Sequence, residues 1–223
     1  MYVSAREGHR LWASVYDSEP NPLLALESRI VRGLLPCAPA RVIDVACGTG
    51  RWASYFAQFG TTVYGVDSCE EMLAQAVKHR SLKGRLTLAD AEHLPFRESA
   101  ADLVLCSFAV SYFRHLRRTL VEMARVSAPG AWMIISDMHP AAMAAGWSRS
   151  FRVHKSLYEI ETTLYSTAEL NAAAASAGLR FAAHLGASFD EPERSLFERA
   201  GKQHLFTRLR AVPAVWIGLW SKP

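Results

Sequence analysis

An apolar run broken by two glycines, Arg41-Val-Ile-Asp-Val-Ala-Cys-Gly-Thr-Gly-Arg51, sets the architecture open to this chain. Val42, Ile43, Val45 and Ala46 read as a buried strand, and Gly48-Thr-Gly50 turns the backbone into an apolar-periodic segment. Strand, glycine turn and helix together make a nucleotide-binding corner. Glycine serves there because it reaches positive φ and lets backbone N–H groups approach a ligand at the positive end of a helix. Turns of this kind also close strands in proteins that bind nothing, so the motif needs company.

With 223 residues, half of them hydrophobic, the chain can bury one sizeable core. One domain with elaborations is expected: an N-terminal helical cap over 1–38, a core over 39–139, a lid or insertion over 140–166, and a C-terminal helix and hairpin over 167–223. No stretch approaches the roughly 18 apolar residues of a membrane span. The start, Met1-Tyr-Val-Ser-Ala-Arg-Glu-Gly-His9, is charged and lacks the apolar centre of a secretory signal, so a cytoplasmic location is expected. Cys37, Cys47, Cys69 and Cys106 have no metal-ligand or disulfide-framework spacing, and reduced thiols with no metal site are expected. The net charge is +4, and its densest basic group, Arg114, Arg117 and Arg118 around His115, reads as a solvated helix face.

In chain order, Trp12 and Tyr16 lie in a segment suited to a short helix over the core. Asn21-Pro22 opens a helix striped by Leu23, Leu26, Ile30, Val31 and Leu34 and stopped by Pro36. After the glycine turn, Trp52, Phe56 and Phe59 recur at helical spacing before Gly60. Residues 61–67, 86–90, 102–107 and 131–137 read as further strands, with helices marked by Met72, Leu73, Ala76 and Val77 and by Leu116, Leu120, Val121 and Ala124. Ser68-Cys-Glu-Glu71 and Ser166-Thr-Ala-Glu169 have capping-box spacing, and Pro129-Gly130 is expected to turn the chain. Residues 140–165 show no clear period and many large side chains, as binding loops do. Residues 179–185 and 215–219 alternate as strands that can pair antiparallel, joined by a loop and short helix over 188–212.

Alternating strands and helices predict an α/β fold with a parallel sheet covered on both faces, and ligands at the strands' carboxyl ends. Gly48 and Gly50, Asp67, Asp90, Ser107 with Phe108, and Asp137 with His139 fall there. An acid at the end of the second strand suits the two hydroxyls of a ribose. Gly48-x-Gly50-x-x-Ala53 with Asp67 also fits a dinucleotide fingerprint. Against that reading stand Asp44, a carboxylate inside the first strand that suits an ammonium group, Asp90, which suits an exocyclic amine, and the lack of a Tyr-x-x-x-Lys pair at Tyr112 or Tyr158.

These residues together resemble the class I S-adenosylmethionine-dependent methyltransferases, in particular the small-molecule branch of the ubiquinone/menaquinone-biosynthesis type. The resemblance is carried by residues 42–50, by Val63-Tyr-Gly-Val-Asp-Ser68, by Ala89-Asp-Ala-Glu-His-Leu-Pro-Phe96, by residues 102–107 and by Arg125-Val-Ser-Ala-Pro-Gly130. It implies a doubly wound, Rossmann-like, seven-stranded and mostly parallel sheet with a reversed C-terminal β-hairpin. It also implies S-adenosyl-L-methionine as cofactor: its methionine part against Asp44, Ala46, Gly48 and Gly50, its ribose on Asp67 beside Ser68, and its adenine near Met72, Asp90 and Ala91. Tyr16 would join that wall, with Ser107 and Phe108 bordering the methyl group. The chain departs from the family at Ala46, where a glycine is usual, and in Ser127-Ala-Pro-Gly130, where a basic residue is usual before the proline. A methyl at position 46 is accommodated where that residue keeps strand angles, and the departure bears on affinity.

Methyl transfer from a sulfonium is an in-line displacement that needs positioning and exclusion of water. A protein base is needed only for an acceptor proton of high pKa; His139 is the expected base, with Tyr112, His154 and Tyr165 behind it. The aromatic residues of 140–165 point to a small, partly apolar acceptor. Two alternatives stay open: a nucleic-acid (RNA) methyltransferase, although no Asn/Asp-Pro-Pro-Tyr loop follows residues 102–107, and an NAD-binding oxidoreductase or non-catalytic nucleotide-binding module.

Overall fold

The computed structural model describes residues 1–18, 20–35 and 39–223. Its elements are β1 (Tyr2–Val3), α1 (Ala5–Trp12), α2 (Pro22–Leu34), β2 (Arg41–Val45), α3 (Arg51–Gln58), β3 (Thr62–Asp67), α4 (Glu70–Ala76), β4 (Leu86–Leu88), β5 (Ala101–Ser107) and α5 (Leu116–Val126). They continue as β6 (Ser127–Met138), α6 (Pro140–Ala144), β7 (Ser150–Val153), β8 (Ser156–Ile160), α7 (Thr167–Ser176), β9 (Arg180–Ala187), α8 (Glu191–Arg199), α9 (Gln203–Leu209) and β10 (Val215–Ser221).

The main sheet has seven strands in the order β4-β3-β2-β5-β6-β10-β9. β2 pairs in parallel with β3 and β5, β3 with β4, and β5 with β6, whereas β10 runs against both β6 and β9. This is the α/β architecture and the antiparallel C-terminal pairing expected above. The central strands are continuous apolar runs because both faces are covered. One face packs Ile43, Val45, Val104 and Cys106 under α5 and α7; the other packs Val42, Leu103 and Leu105 under Leu26, Trp52 and Phe56.

Local chemistry explains most boundaries. Asn21 accepts a hydrogen bond from the Leu23 N–H at the start of α2, with Pro22 in the first turn. Ser166 and Glu169 form the reciprocal capping box of α7. The expected box at Ser68 does not form. Cys69 is the cap residue of α4, and its N–H donates to Asp67 Oδ1 at 2.8 Å. Asp67 instead makes an Asx turn onto the backbone N–H two positions on, and no side chain caps the helix.

Four further expectations change. Pro129-Gly130 does not separate helix from strand, since β6 runs from Ser127 with a register shift opposite Ala101/Leu103. Residues 140–165 are regular: α6 is followed by the β7–β8 hairpin, which pairs with β1 to form a second, three-stranded sheet. No period shows in the sequence because each strand is short and pairs at long range. Between β9 and β10 there are two helices, α8 and α9. Phe59, Val77 and Val121 are exposed and sit off the buried stripes to which their spacing assigns them. Pro36 and Cys37 lie outside the described residues.

Candidate active site

The carboxyl ends of β2, β3 and β5 open into a cleft of ≈ 1060 Å³, lined from the N-terminal segment by Arg6, His9 and Tyr16. Ala46, Gly48, Asp67, Ser68, Met72, Asp90, Ala91, Ser107 and Tyr112 line it from the core. Nearly all the residues assigned to the cofactor from sequence therefore meet on one surface. Asp44 and Gly50 are the two that do not.

Asp67 is the best-defined group. Its Oδ2 accepts from the Gly48 N–H at 2.7 Å and its Oδ1 from the Cys69 N–H at 2.8 Å. Burial raises its pKa, opposed by those backbone bonds and by His9. Each carboxylate oxygen has a further lone pair, which is what two vicinal hydroxyls require. Gly48 adopts φ 54° over open space, so a ligand can come close to its backbone. Gly50 instead serves the packing: at φ 83° it caps α3, and a Cβ there would stand 2.7 Å from Leu82.

Ala46 does not keep strand angles. Its φ is 55°, in the left-handed region where a Cβ is costly, so this alanine carries strain at the cleft wall. Phe108 repeats the feature at the end of β5 with φ 54°. Asp44 lies beneath the loop, 2% exposed, accepting from the Ala53 N–H at 2.9 Å. Burial pushes its pKa up to about 7, against the pull of Arg51 and that N–H.

Behind Ser107 is a polar network. Glu27, fully buried on α2, accepts from Trp52 Nε1 at 3.1 Å, Ser107 Oγ at 2.9 Å, Ser136 Oγ at 2.8 Å and Arg51 Nη2 at 2.9 Å. Ser107 is thus held by Glu27 and by Arg51, which donates to it at 2.8 Å. The signal for this in the sequence is a charge inside an apolar stripe, since Glu27 stands four residues from both Leu23 and Val31.

The expected base, His139, is absent from the cleft lining. It caps α6, its Nδ1 accepting from the Ala141 N–H at 3.1 Å, and its other ring edge faces Gly186. Burial and His184 lower its pKa. This histidine before proline serves as a helix cap, away from the cleft. His154 is exposed between β7 and β8 with φ 53°, and Tyr165 donates its hydroxyl to the Phe113 carbonyl at 2.5 Å. Tyr112 does line the cleft, and burial raises its pKa strongly, which favours the phenol over the phenolate.

α1 and residues 161–163, which follow β8, line the cleft from outside the main sheet. α1 lies against the β7–β8 hairpin, with Trp12 stacked on Phe151 at 4.9 Å and Gly8 so close to Ile160 that a Cβ would meet it at 2.7 Å. Arg149 forms a buried ion pair with Asp137, and its guanidinium lies 5.2 Å from the ring centroids of both Phe108 and Tyr112. Asp137 also accepts from the Ser111 N–H at 2.9 Å and the Met138 N–H at 2.6 Å. Among the described residues no cluster suited to a metal ion occurs, and no helix is long and apolar enough to cross a membrane. Cys47, Cys69 and Cys106 are buried and unbridged.

Known proteins carry the same core. Residues 43–135 match a family model described as a methyltransferase domain. The chain is 35% identical over 122 residues to demethylmenaquinone methyltransferase of Thermus thermophilus, covering 52% of this chain and 56% of that protein. It is 32% identical over 123 residues to malonyl-[acyl-carrier protein] O-methyltransferase of Pectobacterium atrosepticum, covering 52% and 48%. The chain spans about half the length of these curated relatives. The S-adenosylmethionine-dependent methyltransferase structure from Mesorhizobium loti superposes with a TM-score of 0.68 at 19% identity, over 88% of this chain and 98% of that one, which establishes a shared fold. Over residues 43–135, on the glycine loop and the Asp67 strand end described above, the chain carries a domain of the methyltransferase family.

Proposed function

We propose that this protein binds S-adenosyl-L-methionine in the cleft and transfers its methyl group to a small, partly apolar acceptor. The observation that carries the reading is Asp67, fixed by two backbone N–H bonds at the end of β3 with lone pairs left for a ribose, beside the Gly48 turn. Met72 and Ala91 supply apolar walls for an adenine, and Asp90, whose Oδ1 already accepts from the Glu92 N–H at 2.8 Å, keeps its second oxygen for the exocyclic amine. Ala46 and Gly48 border the methionine end, with Tyr16 opposite. When bound, the cofactor supplies the activated methyl. This chain's own residues orient it, fix the acceptor and exclude water where α1 and residues 161–163 line the cleft.

The cleft volume of ≈ 1060 Å³ lies just above the ~300–1,000 Å³ usual for one small-molecule site, which supports a second molecule beside the cofactor. Residues 1–38 and 140–166 serve as the acceptor-side cap and lid, residues 39–139 as the cofactor core, and residues 167–223 complete the sheet of a single domain. Three buried, unbridged thiols suit a reducing, cytoplasmic compartment. The relatives' names, one for a demethylmenaquinone and one for a carrier-bound malonyl group, support a small-molecule acceptor over a nucleic acid.

Titration calorimetry with S-adenosylmethionine, S-adenosylhomocysteine and NAD tests this, with Asp67→Ala as control. Binding of the first two, lost in the control, is expected. Binding of NAD alone would sink the reading in favour of an oxidoreductase.

A further inference from the structure

His9 lines the cleft, and neither the cofactor nor the fold accounts for it there. It lies on α1, one turn after Ala5, and its Nδ1 is 2.7 Å from the Ala5 carbonyl oxygen. A carbonyl can only accept, so the ring hydrogen sits on Nδ1 and Nε2 carries a lone pair. Among the described residues the ring's one hydrogen bond is that of Nδ1. The ring is fixed by Tyr112, which meets it edge to face at 4.6 Å, and by Trp12, stacked at 6.5 Å. His9 is therefore an oriented proton acceptor on the wall shared by the core and α1.

Three carboxylates on that wall already hold partners, and Tyr16 and Glu161 line it as well. Asp67 holds two backbone N–H groups, Asp90 holds the Glu92 N–H, and Glu92 pairs with His115 at 2.7 Å. Tyr112 stays a phenol. The charges that act on His9 from the packed elements are Asp67 at the end of β3, which favours its protonation, and Arg149 beside β7, which opposes it. Burial, with Arg149, outweighs the Ala5 hydrogen bond and Asp67 and lowers its pKa, keeping the imidazole neutral at neutral pH.

We propose that His9 Nε2 is the general base of the methyl transfer, and that the cleft takes an acceptor whose reacting oxygen carries a proton, a phenol or an enol. This rests on the methyltransferase reading. In the step, the acceptor O–H bond breaks toward His9 Nε2 while the oxygen lone pair bonds the methyl carbon. The C–S bond breaks with its electron pair kept by sulfur, leaving a neutral thioether, and the imidazolium releases its proton to solvent. A carboxylate or a tertiary amine has no such proton to give, so a dedicated, tautomer-locked base distinguishes an O–H acceptor from these.

The test uses the full chain saturated with S-adenosylhomocysteine and 4-nitrophenol as the probe. Nitrogen-15 spectra of the histidines, assigned with His9→Phe, are expected to show His9 as the Nδ1–H tautomer. Wild-type protein is expected to bind the probe, and to bind it more weakly as pH falls through the His9 pKa, over the acid range in which the probe stays a phenol. His9→Phe is expected to lose about tenfold in probe affinity, the value of one lost hydrogen bond, together with that pH dependence. Its S-adenosylhomocysteine affinity, unchanged within about twofold as no hydrogen bond to that ligand is removed, serves as the check that it folds. An Nε2–H tautomer, probe binding that His9→Phe leaves intact, or no probe binding by the wild type overturns the proposal. Failure of S-adenosylhomocysteine to bind the wild type overturns the methyltransferase reading instead.

Discussion

The Gly48 N–H donates to Asp67 Oδ2 at 2.7 Å, tying the glycine turn after β2 to the end of β3. One hydrogen bond thus sets the distance between the two walls that a nucleoside would touch. Asp67→Asn keeps the shape but offers one acceptor oxygen in place of two and turns an N–H₂ toward either a backbone donor or the ligand. Hydrogen bonds to a charged group are worth about 1.5–3 kcal/mol, so S-adenosylhomocysteine affinity is expected to fall by roughly 10- to 150-fold in calorimetry.

Ala46 lies two residues before that bond with φ 55°. The left-handed conformation costs an L-residue about 1–2 kcal/mol, part of which glycine returns as unfolded-state entropy. Ala46→Gly is expected to raise stability by about 1 kcal/mol, seen as a rise of roughly 2–4 °C in Tm. A fall in Tm would show that Ala46 is not strained.

Asp44 gives stability a pH dependence of known sign. Its pKa is raised from an ordinary 3.8 to about 7 in the folded protein. Between these values the native state holds more protons than the unfolded one, so stability falls as pH rises. The contribution is complete below the unfolded pKa and lost as pH passes through about 7. Urea unfolding of the wild type at about pH 5 and about pH 8 should show this decline, and Asp44→Asn should flatten it. Equal slopes for the two proteins would remove Asp44 as the cause.

Glu27 anchors four donors from α3, β5 and β6 with a carboxylate that has no exposure to solvent. Removing one side of a buried charged network leaves the others unpaired, at a cost of about 3–5 kcal/mol. Glu27→Ala is expected to lose stability in that range by urea unfolding, and to release Ser107 and Arg51 at the cleft wall. A loss below about 1 kcal/mol would mean that water replaces the carboxylate.

Gly8 lets α1 close onto β8, since any Cβ there would meet Ile160 Cγ1 at 2.7 Å. Gly8→Val is expected to cost about 1–3 kcal/mol through overpacking and to raise hydrogen exchange in the β7–β8 hairpin, which shares this contact. Exchange confined to α1 would show that the two segments move separately.

The elements with local causes were legible in the sequence. Continuous apolar strands, the Asn21-Pro22 start, the Ser166–Glu169 box and the glycine turn each depend on residues a few positions apart. Asp67 could be placed at a strand end for the same reason. The β7–β8 hairpin was not legible, because its short strands gain their register from β1 at the other end of the chain.

The site divides along the same line. Periodicity, glycine placement and strand-end acids in the sequence determined the sheet and most of the residues that meet at the cleft, because backbone geometry follows from near neighbours. Packing in three dimensions assigned the rest. It put Ala46 in a left-handed conformation, replaced Ser68's expected cap with an Asx turn at Asp67, made His139 a helix cap, and brought His9 against Tyr112 across 103 residues of chain. Which nitrogen of a histidine is free, and whether it faces a cleft, depends on groups distant in sequence, and short-range chemistry carries no record of them.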